Sequence, residues 1–355
     1  MKLLGLELLR YSVREMNFDP ILLTRQLVDI DSTTNQEGAV ASFLAQLLAA
    51  RNYAVETTPV PQPANSKETG ERSNLYAGRD GETPDLVFST HLDTVPPFFG
   101  SSEDADYIYG RGACDAKGII AAQIGAAERL REAGYKVGLL FVVGEERDSA
   151  GAKIANLRPK GSRFLINGEP TDNCLALASK GALRAMIRTT GKMAHSAYPE
   201  LGDNAINKMV AALERVLRLE LPMTEDVGKS TLNIGVLEGG RAPNVVPDYA
   251  EAQLLVRLVG ESASTRKAIE EAVAGLAEVD FTLEIPFIRM RRIDGLPTMV
   301  AAFTTDIPAL SDWGEPLLLG PGSIQVAHTP HERLAKKELL QAIDLYTELA
   351  QRLLQ

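Results

Sequence analysis

The chain has 355 residues, of which 45% are hydrophobic and 24% are charged, a composition typical of folded globular domains. This length exceeds what one hydrophobic core usually organises, so we expect two domains. The net charge of −10 disfavours a surface for nucleic acid or anionic membranes. The two cysteines, Cys114 and Cys174, have no paired spacing, which favours a reducing cytoplasm over an oxidising compartment.

The opening segment, MKLLGLELLRYSVREMN, resembles a secretion signal only superficially. Glu7, Arg10 and Arg14 interrupt its apolar stretch, and no small-residue cleavage site follows. No segment of the chain reaches the roughly 18 continuous apolar residues of a membrane span. We predict a short amphipathic helix or an irregular start here and no association with a membrane. The sequence assigns no role to residues 1–18.

Apolar strands alternate with helices in the first half of the chain. Helical periodicity is present in PILLTRQLVDI, GAVASFLAQLLAA and GIIAAQIGAAERLREAG. Continuous apolar runs in PDLVFSTH, KVGLLFVVG and RFLING predict strands buried on both faces. This alternation predicts an α/β domain with a largely parallel sheet, in which ligands bind at the carboxyl ends of the strands. His91, Glu145 and Glu169 each follow such a run.

A different order of elements follows. Over about residues 180–292 the strand and helix patterns alternate as β-α-β-β-α-β, the order of a ferredoxin-like domain. The segments TDIPALS and PLLLGPGS and a final helix then return to the first domain. We therefore predict one domain of residues 1–179 and 293–355, which carries an inserted domain of residues 180–292.

His91 ends one of the predicted strands, and Asp93 stands two residues further on. Positions i and i+2 of an extended segment share a face, so the Asp93 carboxylate can hydrogen-bond the imidazole and orient it towards a metal. A polar strand end with an incidental His–Asp contact has the same pattern. Asp115, in the glycine-rich turn GRGACDAKG, fits either a helix N-cap or a carboxylate that bridges two metals.

The last histidines lie in GPGSIQVAHTPHE. His328 and His331 are three residues apart, but Pro330 disfavours a regular helical turn between them, so at most one need bind a metal. Together, five residues form a mixed histidine and carboxylate set suited to a zinc pair: His91, Asp115, Glu146, Glu169 and His328. Cobalt or manganese fits the same donors.

Two adjacent glutamates, Glu145 and Glu146, leave the end of a predicted strand. Neighbouring side chains there point in different directions, so one can bind a metal while the other moves a proton. A pair of metals with open positions activates water for hydrolysis. The residue pattern alone does not decide which glutamate has which task.

The chain closely resembles the di-zinc metallohydrolase family of acetylornithine deacetylase, succinyl-diaminopimelate desuccinylase, aminoacylase-1 and glutamate carboxypeptidase. The resemblance runs in the family order from about residue 22 to the C-terminus. It rests on STHLDTVP, GRGACDAKGIIAA, GEERDSAGA, NGEPT, GKMAHSAYPELGDNAI, GGRAPNVVP and GPGSIQVAHTPHE. The family usually has Asn, Asp or another polar residue where His331 stands, so His331 either has no role at the metals or supports a metal ligand without binding metal itself.

The resemblance implies a role for each motif residue. His91 and Glu169 would bind one zinc ion, Glu146 and His328 the other, and Asp115 would bridge the two. Glu145 would act as the general base, and Asp93 would orient His91. Zinc would lower the pKa of the attacking water, whose proton Glu145 would take and pass to the leaving amine.

The same resemblance implies that the inserted domain is a lid and a surface for homodimerisation. His195 would stabilise the tetrahedral oxyanion, and Asn244 and Arg257 would bind the carboxylate of the substrate. From the residues alone, His195 fits a surface loop, Asn244 a turn beside Pro243, and Arg257 an exposed strand position equally well.

The implied activity is a cytoplasmic zinc-dependent amide hydrolase that acts on an N-acylated amino acid. The short length of the chain and its ending, from TDIP to GPGSIQVAHTPHE, are most similar to bacterial acetylornithine or acetylcitrulline deacetylases of arginine biosynthesis. A carboxypeptidase or dipeptidase, or a hydrolase of lysine held on an amino-group carrier, is the alternative within the same chemistry. A non-catalytic binding protein is the alternative of another class, and the completeness of the ligand set disfavours it.

Overall fold

The computed structural model describes residues 18–64, 66 and 70–355. The helix or irregular start expected at the N-terminus falls almost wholly on residues outside this range. The helices are α1 (Pro20–Val28), α2 (Gly38–Ala50), α3 (Gly118–Glu132), α4 (Ala150–Ala155), α5 (Ala205–Leu217), α6 (Ser262–Val273) and α7 (Lys336–Leu354). No helix among the described residues is long and apolar enough to cross a membrane.

The strands follow in chain order. They are β1 (Ala54–Pro59), β2 (Ser73–Gly78), β3 (Leu86–His91), β4 (Ser102–Glu103), β5 (Tyr107–Tyr109), β6 (Val137–Val142), β7 (Phe164–Asn167), β8 (Leu175–Ser179), β9 (Gly181–Thr190), β10 (Ala194–His195), β11 (Met223–Thr224), β12 (Gly228–Lys229), β13 (Thr231–Gly239), β14 (Val245–Val246), β15 (Tyr249–Leu258), β16 (Glu278–Ile285), β17 (Ile288–Arg289), β18 (Thr298–Ala301), β19 (Glu315–Leu318) and β20 (Arg333–Ala335).

The chain forms two compact units. Unit 1 contains the described residues up to 176, together with residues 291–299 and 305–355, and unit 2 contains residues 177–290 and 300–304. The domain boundaries expected at residues 180 and 292 stay a prediction.

Unit 1 is built on a six-stranded mixed sheet with the order β1-β2-β6-β3-β7-β19. Strands β6, β3, β7 and β19 are parallel, whereas β1 and β2 pair antiparallel at one edge. Every residue of β3, β6 and β7 is buried, which explains their continuous apolar sequences. The alanine-rich helix α3 packs against this sheet, and every residue from Gly118 to Ala127 is buried. The expected largely parallel α/β sheet is confirmed.

Unit 2 has the predicted ferredoxin-like order, with β9, α5, β13, β15, α6 and β16 in succession. Its four-stranded antiparallel sheet has the order β13-β15-β9-β16. Alternate residues of β15 are buried, because one face of the sheet packs on the two helices. The predicted β-α-β-β-α-β domain is confirmed.

Candidate active site

His91 is the last residue of β3 and is 1% exposed. Its Nδ1 lies 2.9 Å from the backbone oxygen of Asp93, and its Nε2 lies 3.0 Å from Oδ1 of Asp115. A carbonyl oxygen only accepts, so Nδ1 carries a proton and Nε2 is the ring nitrogen that points at the Asp115 carboxylate. Burial lowers the pKa of His91, but its acidic neighbours Asp115 and Asp93 raise it well above its ordinary value, so the surroundings of this nitrogen favour a positive charge.

Asp115 lies between two histidines. Its Oδ1 faces His91, and its Oδ2 lies 3.2 Å from Nε2 of His328. The same nitrogen of His328 lies 3.0 Å from the Glu146 carboxylate. Burial by itself raises the pKa of Asp115, but hydrogen bonds to the two imidazoles lower it below its ordinary value. Asp115 is therefore an ionised carboxylate that both histidines share.

The donor atoms form two groups. His91, Asp115 and Glu169 make one, and Asp115, Glu146 and His328 make the other; within each group the donor atoms lie within 4.8 Å of one another. Imidazole nitrogens and carboxylate oxygens in this ratio suit zinc, and they also accept manganese or cobalt. The structure thus brings together all five residues expected to bind metal, with Asp115 in the shared position.

Glu169 provides an independent sign of a cation. It follows β7, is 4% exposed, and its Oε1 has no hydrogen-bond partner among the residues the structure describes. Burial raises its pKa well above the ordinary value; His91 opposes this and the neighbouring carboxylates add to it. A buried acceptor without a donor is costly. A metal ligated by this oxygen removes that cost, so the donor set fits a divalent ion.

Glu145 follows the buried glycine at the end of β6 and is half-buried. Its carboxylate makes no hydrogen bond or ion pair with any described residue, in contrast to its neighbour Glu146. Burial, and next the charge of Glu169, raise the pKa of Glu145 well above its ordinary value. No described side chain holds this carboxyl group, so it is available for proton transfer, the task of a general base.

The sequence predicted that the carboxylate of Asp93 orients His91, but in the structure a different atom of Asp93 does so. The hydrogen bond to the imidazole comes from the backbone oxygen of Asp93, and the carboxylate Oδ1 lies 3.7 Å from Nδ1. The carboxylate instead accepts hydrogen bonds from the backbone amides of Gly144, Glu145 and Glu146, at 2.9, 3.1 and 3.2 Å. Asp93 therefore also fixes the turn that carries both glutamates.

A buried ion pair that the sequence analysis missed lies behind this turn. The Arg72 guanidinium is 3.2 Å from the Glu37 carboxylate and donates to Asn35 Oδ1 at 2.5 Å. Gly144 has φ +80°, and a Cβ atom there would stand 2.4 Å from Nη2 of Arg72. The glycine thus lets the turn approach the guanidinium. No local pattern around Arg72 distinguishes it from a surface arginine.

Glu332 was also missed as a contributor to the site. It is 1% exposed and contacts the side chain of Arg111 and the backbone of the turn that carries Asp115. Its position directly after His331 in the motif was the only available signal. His331 itself is exposed and belongs to neither donor group.

The remaining predicted residues lie in unit 2. His195 pairs with Val245 across β10 and β14, and the Ser196 amide donates to the backbone oxygen of Asn244 at 3.0 Å. His195 and Asn244 are therefore neighbours. Arg257 lies on β15 at a half-buried position on the sheet face away from the helices, and its guanidinium has no partner among the described residues.

Comparison with known proteins agrees with this arrangement. Residues 177–281 match the M20 peptidase dimerisation domain. A protein of Aspergillus terreus named "Probable carboxypeptidase" is 37% identical over 92% of this chain and 84% of its own length.

Two solved structures share the fold. A tripeptidase from Staphylococcus aureus superposes with a TM-score of 0.76 at 22% identity, over 95% of this chain and 99% of its own. A Bacillus subtilis protein described as a dinuclear metal-binding peptidase from the M20 family superposes with a TM-score of 0.66 at 19% identity. That alignment covers 93% of this chain and 96% of the other.

The fold and the two donor groups define a metal-dependent hydrolase. The chain belongs to the M20 family of metallopeptidases.

Proposed function

We propose that this protein is a dinuclear metal-dependent carboxypeptidase or dipeptidase, which hydrolyses the amide bond before the C-terminal residue of a short peptide. The observation that carries the proposal is the pair of donor groups that share Asp115, with the unpartnered carboxylate of Glu145 beside them. The name of the Aspergillus terreus relative supports this specificity over deacetylation of acetylornithine in arginine biosynthesis.

Five residues would hold the metals. His91 and Glu169 would bind one ion, Glu146 and His328 the other, and Asp115 both, in accordance with the two donor groups. We propose zinc, for which cobalt or manganese can substitute on the same donors. When bound, such a pair lowers the pKa of water and polarises the carbonyl of the scissile bond.

Glu145 would move the proton. Its carboxylate takes a proton from the attacking water and delivers it to the leaving nitrogen, so one group serves as base and then as acid. The Asp93 carboxylate keeps Glu145 in place by its hydrogen bond to the Glu145 amide.

The unit 2 residues would bind the substrate. Nδ1 of His195 accepts a hydrogen bond from the Ala197 amide at 3.1 Å, so the neutral ring carries its proton on Nε2 and offers a donor to the developing oxyanion. Arg257 would bind the C-terminal carboxylate, and the lack of a partner for its guanidinium among the described residues supports this role. Asn244, in the loop beside His195, would bind the same carboxylate of the substrate.

We also propose that the protein forms a homodimer and is located in the cytoplasm. The match to a peptidase dimerisation domain supports pairing through unit 2. The unpaired cysteines, one buried and one half-buried, support a reducing compartment. Sedimentation equilibrium of the purified chain tests the first point, and a chain that stays monomeric at micromolar concentration would contradict it.

A substrate panel tests the specificity. The metal-reconstituted protein is assayed with dipeptides, tripeptides, N-acetylornithine, N-acetylcitrulline, N-succinyl amino acids and a carrier-bound lysine. We expect kcat/KM for peptides to exceed that for the N-acyl amino acids by orders of magnitude. A higher kcat/KM for the N-acyl amino acids than for peptides would instead indicate a deacylase. A preference for carrier-bound lysine would indicate a hydrolase of lysine held on an amino-group carrier. Fewer than about one metal ion per chain after reconstitution would instead indicate a non-catalytic protein.

A further inference from the structure

The Glu332 carboxylate lies deep in unit 1, four residues after His328. Its Oε2 accepts a hydrogen bond from Nη1 of Arg111 at 2.6 Å. Its Oε1 accepts from the backbone amides of Gly112 at 2.9 Å and Asp115 at 3.3 Å. Both oxygens thus have donors, and Glu332 belongs to neither metal-binding group.

Arg111 compensates the charge of Glu332. It is 2% exposed, lies over the ring of Phe99 at 5.0 Å, and donates to the backbone oxygen of Pro97 at 3.3 Å. The guanidinium is therefore fixed from several directions. A buried carboxylate paired with a fixed guanidinium keeps its orientation.

The backbone of the two segments is joined as well. The backbone oxygen of Glu332 accepts a hydrogen bond from Gly110, so main chain and side chain of one residue hold both ends of the turn from Gly110 to Asp115. The turn has little room to shift: a Cβ atom on Gly112, whose φ is +87°, would stand 2.8 Å from Thr94 and 2.9 Å from Lys117.

We propose that Glu332, with Arg111, is a positioning residue that ties the segment carrying His328 to the turn carrying Asp115 and so fixes the separation of these two metal ligands. This inference rests on the proposed metal centre. Ligand atoms must lie within about 0.2 Å of their ideal distances, so a loosened turn weakens metal binding even when every ligand is present. Groups that orient ligands contribute about 10–100-fold to metal affinity or activity.

Glu332→Gln tests the proposal, because glutamine keeps the shape of the side chain. Its amide nitrogen must face either the guanidinium or the backbone amides, so one accepting contact becomes a repulsion between donors. We expect the zinc affinity of the metal-depleted chain, titrated against a chelating dye, to fall about 10–100-fold. The matched control is Glu348→Gln, which removes an exposed carboxylate of α7 and should bind zinc as the wild type does.

Thermal unfolding of the metal-free proteins separates positioning from a general structural role. A lower unfolding temperature combined with a zinc affinity within about twofold of the wild type would overturn the proposal. If Glu332→Gln does not fold, Arg111→Lys replaces it, because lysine keeps the charge but lacks the planar fork. An unchanged zinc affinity in that variant would overturn the proposal equally.

The wild-type titration tests the metal centre itself. Two zinc ions bound per wild-type chain, with weakened binding in Glu332→Gln, support both the centre and the positioning role. Two ions bound equally by wild type and variant leave the proposed function standing and refute only the role of Glu332. A wild-type chain that binds no metal refutes the centre and the positioning role together.

Discussion

The Oδ1 atom of Asp93 accepts a hydrogen bond from the backbone amide of Glu145 at 3.1 Å, while the backbone oxygen of the same aspartate holds Nδ1 of His91. One residue therefore sets both a metal-binding imidazole and the proposed general base. The Asp93 carboxylate accepts hydrogen bonds from three successive backbone amides. Because these N–H groups point the same way and repel one another, the negative charge of the carboxylate stabilises the turn.

Replacing Asp93 with asparagine should loosen this turn. The amide nitrogen of asparagine would face backbone N–H groups that the carboxylate accepts from, so Glu145 and Glu146 should lose their fixed positions. We expect kcat/KM to fall about 10–100-fold in a folded protein. Asp31→Asn, at an exposed aspartate that accepts hydrogen bonds from the nearby Thr33, is the control and should keep wild-type kinetics. Wild-type kinetics in Asp93→Asn would refute the positioning of the turn.

Removing the Glu145 carboxylate should separate catalysis from metal binding. Glu145→Gln retains the shape of the side chain but cannot accept the proton, so kcat should fall by about 10²–10⁴-fold. Metal content, measured by inductively coupled plasma spectrometry, should stay near that of the wild type. Glu132→Gln, at an exposed position at the end of α3, should change neither quantity. Normal turnover in Glu145→Gln would show that another group is the base.

Gly144→Ala should destabilise unit 1 through two effects. The positive φ costs an alanine about 1–3 kcal/mol, and the new methyl group also meets the guanidinium of Arg72. Gly134→Ala is the matched control, because Gly134 has φ +90° with nothing within 4 Å of its added Cβ. Urea unfolding should give a larger loss of unfolding free energy for Gly144→Ala. Equal losses would mean that Arg72 moves aside without cost.

The buried pair of Glu37 and Arg72 should make stability depend on pH. Burial, and next the charge of Asp93, raise the pKa of Glu37 from 4.5 to about 7 against the opposing charge of Arg72. Below about pH 4.5 both folded and unfolded chains carry the protonated carboxyl. Between about 4.5 and 7 only the unfolded chain loses the proton, so stability falls as pH rises, by up to about 3 kcal/mol.

Glu37→Gln should remove the fall in stability that the titration of Glu37 causes as pH rises. The difference in unfolding free energy between wild type and Glu37→Gln, from urea unfolding at a series of pH values, should decline from about pH 4.5 to 7 and then become constant. Subtracting the variant cancels the titration of the metal ligands, which both proteins share. A difference that is independent of pH, or that rises over this range, would contradict the raised pKa of Glu37.

Local sequence patterns predicted the strands and the helix that short stretches of the chain define. The apolar runs of β3, β6 and β7 and the helical period of α3 predicted these elements because burial imposes a period on side chains. The strand ends then placed His91, Glu145 and Glu169 at one edge of the sheet, since parallel strands direct their carboxyl ends the same way. Arg72 and Glu332 could not be found in this way, because their partners lie 35 or more residues away in the chain.

The sequence by itself determined the two-part α/β and ferredoxin-like organisation, the set of metal-binding residue types and the presence of two adjacent glutamates. Only the tertiary structure decided which glutamate faces His328, that Asp93 holds His91 through its backbone, and that Glu332 holds the Asp115 turn. The reason is physical. Periodicity and residue type are properties of neighbours in the chain, whereas the direction of a carboxylate is set by donors that folding brings from distant segments.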